Sequence, residues 1–237
     1  MKGLRPREMF PQVEAAVRIS RTRSGEYYAS IPVRSTGGKE SAPGVIALDP
    51  GVRTFMTGYD PSGKIVEWGA GDMRRIEYLA RGYDNLMTRA KSPGVRHRQR
   101  YKMLIAGRRI LRRIRRLVDD LHKKMATWLC RNYQVVLIPR FEIQGMVKKG
   151  HRKIRSHTAR AMMTWGHYRF RMRLMTKARE YQCLVHEVTE EYTSQGCGQC
   201  GARNAIGGSK TYLCNACGFM ADRDHNGARN ILLKFLA

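Results

Sequence analysis

Four cysteines near the C-terminus have the spacing of a metal site. They form two pairs, Cys197-x-x-Cys200 and Cys214-x-x-Cys217, separated by a short loop. Two such pairs place four thiolates around one Zn²⁺ in a tetrahedron, which is how a structural zinc ribbon is built. The alternative, four free thiols, explains this spacing less well. We therefore predict one structural zinc ion held by Cys197, Cys200, Cys214 and Cys217.

A second chemical pattern follows the cysteines, where Asp222 and Asp224 open a helix. Carboxylates at a helix start can cap backbone N–H groups or hold Mg²⁺. A third acid, Asp49, ends an apolar, strand-like run, where it can also serve simply to start a turn. Two-metal hydrolysis of a phosphodiester requires several acids, which can come from distant parts of a chain. Asp49 and the acids near residue 224 are distant in this sequence.

The overall charge restricts the class of partner. The 237 residues include 45 Lys and Arg but only 19 Asp and Glu, which gives a formal net charge of +26. Because repulsion of this size lowers stability unless a polyanion neutralises it, we expect nucleic acid as the partner, ahead of a ribosomal-type role or attachment to a membrane surface. No segment approaches the roughly 20 apolar residues of a membrane span, and no signal segment follows Met1. We therefore expect an intracellular protein in a reducing compartment, with Cys130 and Cys183 as core thiols.

The first 70 residues contain mainly strand patterns. Residues 12–33 have the alternation of a β-hairpin, and 35–41 have the composition of a linker. The apolar run at 45–48 is typical of a strand buried on both faces. Two further strands are predicted at 52–58 and 64–68, joined by a turn rich in Pro, Ser and Gly.

From about residue 70, apolar residues recur every three or four positions, which indicates long helices. One stripe runs from Met103 to Trp128. A strand is predicted at 135–138, a single helix at 157–181 and a last strand at 184–188. This order favours an α/β fold with a mixed sheet of the ribonuclease H type, whose ligand site lies at the carboxyl ends of central strands. The helix at 157–181 is expected to carry one apolar stripe formed by Trp165, Tyr168, Met172 and Met175.

The predicted helices are long and basic. Between residues 108 and 116, six arginines occur in nine positions with no acidic residue among them. A solvated charged face is the simpler interpretation, but the mutual repulsion of these side chains favours contact with phosphates. A basic loop at 146–155 and the helix at 157–181 add further cations. The residues predicted to bind nucleic acid are Arg108, Arg109, Arg112, Arg113, Arg116, Lys148, Lys149, Arg152, Arg160 and Arg169.

Several blocks together resemble a known nuclease family. The segments 47–52 (ALDPGV), 192–194 (YTS) and 222–231 (DRDHNGARNI), with the two cysteine pairs, look like the RuvC-type nuclease of TnpB proteins. These are transposon-encoded, RNA-guided DNA endonucleases related to type V CRISPR effectors. The segments 138–142 (IPRFE) and 158–170 (TARAMMTWGHYRF) look closer still to Fanzor, the eukaryotic and viral branch, and its bacterial kin. The resemblance covers nearly everything from about residue 12 to the end.

The resemblance implies roles for particular acids. Asp49 and Asp224 match the metal-binding aspartates, and Asp222 is expected to cap the helix or support the site. Most TnpB proteins place a glutamate where this chain has Pro139, so the third acid has to come from elsewhere. In the Fanzor-like branch a replacement glutamate precedes the Thr-Ser of the ribbon, which Glu190 matches best. The alternatives for this third catalytic position are Glu142 and Glu191.

The resemblance also implies a domain organisation. Residues 1–42 correspond to a remnant of a wedge-like β region and linker, and 43–192 to a RuvC-like nuclease core. Residues 193–220 form an inserted, target nucleic-acid-binding zinc ribbon, and 221–237 form a helix that completes the core. Family members usually carry a larger N-terminal portion.

The implied function is a Mg²⁺-dependent endonuclease, with Mn²⁺ as a possible substitute, that uses a guide RNA to find target DNA. It would act in the cytoplasm or nucleoid of a prokaryote, or in the nucleus for a eukaryotic or viral protein. The alternative is a catalytically inactive or unguided zinc-ribbon protein that binds DNA or RNA. An unguided transposase or resolvase is disfavoured, because no serine or tyrosine nucleophile site is recognisable. His122, His167 and His225 lie on predicted helices and are assigned no catalytic role.

Overall fold

The computed structural model describes residues 15–22, 25–33, 38, 40–141, 143–148, 150, 154–189, 191–205 and 207–237. The strands are β1 (Arg18–Arg21), β2 (Tyr27–Ser30), β3 (Val45–Pro50), β4 (Met56–Tyr59), β5 (Ile65–Trp68), β6 (Val135–Pro139), β7 (Leu184–Val188), β8 (Thr211–Leu213) and β9 (Met220–Asp222). The helices are α1 (Asp72–Lys91), α2 (His97–Asn132), α3 (Ile143–Val147), α4 (Ser156–Trp165), α5 (His167–Tyr181) and α6 (Arg223–Leu236). In this part of the chain, no helix is both long and apolar enough to cross a membrane.

A five-stranded mixed sheet forms the centre of the molecule, with the strand order β5-β4-β3-β6-β7. β3 pairs antiparallel with β4 and parallel with β6, and β6 pairs parallel with β7. The carboxyl ends of β3, β6 and β7 therefore meet at one edge of the sheet. The predicted mixed α/β fold is confirmed.

The two faces of the sheet bury different residues because side chains alternate along a strand. Ile46 and Leu48 of β3 belong to the large core formed with α2, α4 and α5. Ala47 packs on the opposite face, in a smaller core with Ile231 and Leu232 of α6. Asp49 has the parity of Ala47, so the alternation places its side chain on the face that α6 covers.

Two local predictions for the helix at 157–181 were wrong. The chain breaks at Gly166, which has φ 62° and lies between α4 and α5. Because α5 starts in a new direction after the break, a different set of its side chains faces the core. The buried residues of this set include Phe170, Leu174 and Ala178. Tyr168 is 63 % exposed, although the unbroken pattern placed it on the apolar stripe.

The β1–β2 hairpin lies outside the central sheet. Arg18 pairs with Ser30 and Arg21 with Tyr27, which confirms the hairpin. Residues 12–14, most of the linker and positions 23 and 24 of the turn lie outside the described residues. Glu26 beside the turn accepts ion pairs from arginines of α2, so a charged contact connects the hairpin to that helix.

Two histidines are buried under the sheet beside Phe55. The rings of His122 and His167 stack on Phe55 with centroid distances of 4.9 and 4.8 Å. Burial lowers the pKa of His122 to about 4, with a further contribution from the charge of Arg169. Burial also lowers the pKa of His167 to about 3. Both rings therefore pack as neutral aromatic groups, consistent with a structural role.

We expect acid to weaken the fold through these two rings. Between pH 7 and pH 5 the unfolded chain protonates both histidines while the folded chain does not, so the free energy of unfolding falls by about 2 kcal/mol for each ring. Replacing His167→Leu removes one of the two contributions, so it should roughly halve the dependence of the free energy of unfolding on pH. Denaturant titrations at several pH values measure this dependence. His97→Leu, at an exposed position, is the control and should keep the wild-type slope. Equal slopes for all three proteins would contradict the assignment.

Candidate functional site

The two aspartates singled out in the sequence come together where α6 crosses the end of β3. A Cβ atom built on Gly227 would lie 2.7 Å from Oδ2 of Asp49, so the Asp49 carboxylate rests directly against the helix backbone. Asp224 precedes Gly227 by three residues, or about 4.5 Å along the helix axis. Residues three apart lie on neighbouring parts of a helix surface. The fold therefore brings Asp49 to within about one helical turn of Asp224.

The start of α6 separates the roles of its two acids. Asp222 is the N-cap, and its side chain accepts a hydrogen bond from the backbone N–H of Asp224 at 2.9 Å. Although burial opposes it, the ion pair with Lys210 keeps the pKa of Asp222 below its usual value. Burial and the negative charge of Asp222 instead raise the pKa of Asp224. Asp224 is thus a partly buried carboxylate whose charge is only weakly compensated, since its ion pair with Arg223 is long at 4.0 Å, and this is favourable for binding a cation.

The sheet places one further acid nearby, Glu67, which the sequence patterns did not reveal. Asp49 pairs with Thr57 of β4, and Thr57 pairs with Glu67 of β5, so all three lie in one row on one face. Glu67 also contacts Nε2 of His225 in the first turn of α6 at 3.2 Å. The position of Glu67 follows from the strand register, which is known only once the strands are paired in the structure.

The third acid is not resolved by the described residues, because Glu190 and Glu142 both lie outside them. The register does show what surrounds this position. Pro139 pairs with Val188 at the carboxyl end of β7, and Val188 packs in the core under α6. Glu190 follows Val188 by two residues in the sequence. Glu191 is exposed, and its backbone carbonyl accepts a hydrogen bond from Lys234.

The four predicted zinc ligands converge. Their sulfur atoms all lie within 4.8 Å of one another. The Cys197–Cys217 and Cys200–Cys214 sulfur distances are 3.7 and 3.6 Å. A Zn–S bond of about 2.3 Å implies a tetrahedron edge of about 3.8 Å. The cluster therefore has the size and donor chemistry of a four-thiolate zinc site.

Backbone hydrogen bonds favour the thiolate form of Cys197 and Cys214 in this cluster. A hydrogen bond from the backbone N–H of Cys217 lowers the pKa of the Cys214 thiol to about 6. The backbone N–H of Ala216 contributes in the same direction, and burial opposes both. The backbone N–H of Gln199 donates to the sulfur of Cys197 at 3.4 Å. N–H groups turned toward sulfur are expected of knuckles that hold metal-bound thiolates.

Two asparagines of α6 connect the ribbon to the acid-bearing helix. Asn226, which is 1 % exposed, donates to the Gly196 carbonyl at 2.7 Å and accepts the Gly198 N–H at 3.0 Å. Asn230 donates to the carbonyls of Thr193 and Gly196 at 2.8 and 2.7 Å. The first cysteine knuckle and the start of α6 are thus one hydrogen-bonded unit.

Several of the predicted nucleic-acid-binding residues make ion pairs within the protein. Arg112 and Arg116 both contact Glu26 at 2.9 Å. Arg160 forms a two-pronged hydrogen bond with Asp84. These arginines are partly neutralised, a feature that the local run of positive charge did not reveal.

The other predicted contacts are distributed along the same helices. Arg169 of α5 lies 3.6 Å from Asp119 of α2. The remaining described positions are Arg108, Arg109 and Arg113 on α2, and Lys148 directly after α3. Lys149 and Arg152 lie outside the described residues. Contact of these residues with nucleic acid remains a prediction.

The chain is similar to proteins that are named as transposases, TnpB-like proteins and RNA-guided endonucleases. Residues 167–231 match the family model "Cas12f1-like, TNB domain". The putative transposase A625R of Paramecium bursaria Chlorella virus 1 is 35 % identical over 225 residues, which cover 94 % of this chain and 51 % of that protein. The TnpB-like protein L79 of Acanthamoeba polyphaga mimivirus is 28 % identical over 193 residues, covering 78 % of this chain and 36 % of the relative.

A bacterial relative is also similar in sequence, and a solved structure shares the fold. The putative RNA-guided DNA endonuclease InsQ of Escherichia coli is 28 % identical over 222 residues, covering 88 % of this chain and 54 % of that protein. A cryo-EM structure of a CRISPR-Cas12f ternary complex shares the fold, with a TM-score of 0.60, 16 % identity and coverage of 91 % of this chain and 44 % of the other. This chain therefore spans about half or less of the length of these relatives.

We expect the ribbon to depend on its metal. Cys214→Ser should lower bound zinc well below one ion per chain and reduce the thermal stability of the ribbon, because a structural zinc contributes directly to folding. Zinc content by elemental analysis and thermal unfolding are the measurements. Cys183→Ala, at a buried cysteine outside the cluster, is the control and should retain one zinc. Retention of a full zinc ion by Cys214→Ser would contradict the four-thiolate site.

Proposed function

Because this chain belongs to the TnpB family, we propose that it supplies the nuclease portion of a Mg²⁺-dependent, RNA-guided DNA endonuclease of transposon origin. The observation that carries this proposal is the contact between the Asp49 carboxylate and Gly227, one turn beyond Asp224. Residues 175 positions apart in sequence thereby contribute carboxylates to one edge of the sheet. Because this chain spans about half or less of each relative's length, its activity, its guide RNA and its target DNA are proposed here.

The donor set fits Mg²⁺, with Mn²⁺ as a substitute. Asp49 and Asp224 offer hard oxygen ligands, which Mg²⁺ prefers, and the raised pKa of Asp224 marks a carboxylate that a bound cation would stabilise in its charged form. We assign Asp49 and Asp224 as metal ligands and Glu190 as the third acid. When bound, two such ions activate water and stabilise the leaving oxygen of a phosphodiester.

The chain's own residues hold this site in position. Asp222 satisfies the backbone N–H of Asp224 and so fixes the first turn of α6. His225 contacts Glu67 and fixes the same turn against β5. Gly227 leaves room for the Asp49 carboxylate. These three contacts orient the two aspartates before any ligand binds.

The basic helices are the proposed surface for the guide RNA and target DNA. Contacts from Arg and Lys to phosphates provide affinity without reading sequence, as expected where base pairing to a guide selects the target. Ion pairs such as Arg112–Glu26 can exchange an acid for a phosphate when nucleic acid binds. We propose that the 193–220 ribbon contributes to binding the target, beside the core formed by 43–192 and 221–237.

A second candidate function has one specific observation in its favour. Pro139 occupies the strand end where most TnpB proteins place a glutamate, and proline offers no side-chain ligand. If no other acid replaces that glutamate, the protein would bind nucleic acid through its helices and ribbon without cutting it. The first candidate is favoured because Asp49 lies against α6 only one helical turn from Asp224.

Removing either aspartate tests the catalytic proposal. Asp49→Asn and Asp224→Asn should each reduce Mg²⁺-dependent DNA cleavage by more than the roughly 100-fold typical of losing a supporting residue, because each removes a proposed ligand. Cleavage should be measured on DNA matched to the RNA that copurifies with the protein. Asp120→Asn, at a surface acid paired with Lys124, is the control and should cut normally. Undiminished cleavage by either active-site variant would refute these roles.

Gly227→Ala tests the geometry without removing a ligand. The added methyl group would overlap the Asp49 carboxylate, and we expect this flexible group to move, with a loss of cleavage of roughly 10- to 100-fold. Helix propensity favours Ala over Gly by about 1 kcal/mol, which offsets the cost of displacing the carboxylate. The free energy of unfolding should therefore change little.

The control for this substitution is Gly82→Ala in α1, where the nearest neighbouring atom would be 3.9 Å away. It should stabilise the protein slightly and leave cleavage unchanged. Normal cleavage by Gly227→Ala would show that the position of the Asp49 carboxylate does not limit the reaction.

A further inference from the structure

Tyr192 has a backbone conformation that its residue type disfavours. Its φ is 62°, in the left-handed region where a Cβ atom crowds the backbone. Gln182, the other described residue of this kind besides glycines, ends α5 in the usual left-handed cap. Tyr192 instead lies in the turn between β7 and the ribbon. A glycine or asparagine would form this turn more easily, so the turn itself does not require a tyrosine.

The surrounding hydrogen bonds keep Tyr192 in this conformation. Its carbonyl accepts the N–H groups of Gln195 and Gly196 at 3.0 and 2.9 Å. The next residue, Thr193, is held through its carbonyl by Asn230 of α6. These bonds hold the backbone that follows the Cα atom of Tyr192, and they limit the direction in which its side chain can point.

The ring of Tyr192 is exposed and carries a cation on one face. More than half of the residue, 55 %, is accessible to solvent. The guanidinium of Arg203 lies 4.1 Å from the ring centroid. Arg203 is itself exposed, and its backbone forms a β-bridge with Gly196. Together Tyr192 and Arg203 form a flat aromatic and cationic surface, which we call the Tyr192–Arg203 platform.

The platform lies close to the proposed catalytic edge. Val188, at the carboxyl end of β7, pairs with Pro139 of β6 at the edge where β3 delivers Asp49. Tyr192 lies four positions after Val188, a span of at most about 14 Å. Asn230, which holds Thr193, belongs to the same helix as Asp224. The platform therefore lies within reach of a nucleic-acid strand bound at the acidic edge.

We propose that the Tyr192–Arg203 platform stacks one unpaired nucleobase of the DNA strand that enters the acidic site. An exposed aromatic ring with an adjacent guanidinium suits a base of any type, because every base has a π-face and is attached to a phosphate. A base inside a duplex has both faces covered, so the platform selects single strands. This inference rests on the proposed nuclease function, but the binding step can be measured without cleavage.

The test uses the 237-residue protein carrying Asp49→Asn, with zinc present, so that no DNA is cut. The probe is a single-stranded oligonucleotide containing 2-aminopurine, whose fluorescence falls on stacking. Adding Tyr192→Gly should weaken binding by roughly 5- to 150-fold, the range for loss of one stacked base, and should abolish the fluorescence change. Tyr192→Phe should preserve both. Affinity for a duplex of the same sequence should be the same in all variants.

Stability distinguishes a binding platform from a structural clip. Glycine relieves the strained backbone at 192, so Tyr192→Gly should keep one zinc per chain and unfold at the same temperature as the parent or higher. Loss of zinc or a lower unfolding temperature would show that the Arg203 stack only holds the ribbon together, and would overturn the proposal. Unchanged single-strand affinity in Tyr192→Gly would overturn it as well. Absence of cleavage by the wild type would concern the nuclease proposal and leave this binding result unaffected.

Discussion

The close approach of α6 to the end of β3 is the contact on which the proposed site depends. Carboxylates repel one another and are unfavourable to bury, so two of them stay together only if other contacts hold their backbones in place. Here the apolar contact of Ile231 and Leu232 with Ala47 and Leu137 provides that constraint. The absence of a side chain at Gly227 then lets the helix backbone lie against the Asp49 carboxylate.

The zinc ribbon contributes to the same constraint because of its place in the chain. β9 ends at Asp222, and α6 begins at the next residue, so the ribbon's last strand leads directly into the acid-bearing helix. Asn226 and Asn230 then join α6 to the first cysteine knuckle. A metal ion held by the four cysteines would therefore also limit where the helix can start. Such an ion would influence the proposed acidic site without touching it.

Much of this architecture could be predicted from local patterns. The buried run that became β3, the four-cysteine spacing and the acids at the start of α6 each depend on neighbours in sequence. The break at Gly166 was missed, because a glycine within a continuous apolar pattern is compatible with one helix or two. Glu67 was missed for a different reason. Glu67 lies in the same row as Asp49 only because β3 pairs with β4 and β4 pairs with β5. The register of these pairings cannot be read from the sequence alone.

The positive charge of the helices shows a related limit of local patterns. Between residues 108 and 116 the sequence offers no acid, but Glu26 of the hairpin contacts Arg112 and Arg116 in space. Asp119 of α2 likewise contacts Arg169 and Arg173 of α5. Such exposed pairs contribute little stability, typically below about 1 kcal/mol. Such pairs therefore compete only weakly with a phosphate, which can also accept two hydrogen bonds from one arginine. In a chain with a net charge of +26, scattered acids thus reduce the repulsion between the basic helices. If these helices bind nucleic acid, as proposed, such weak ion pairs would not prevent the arginines from contacting phosphates.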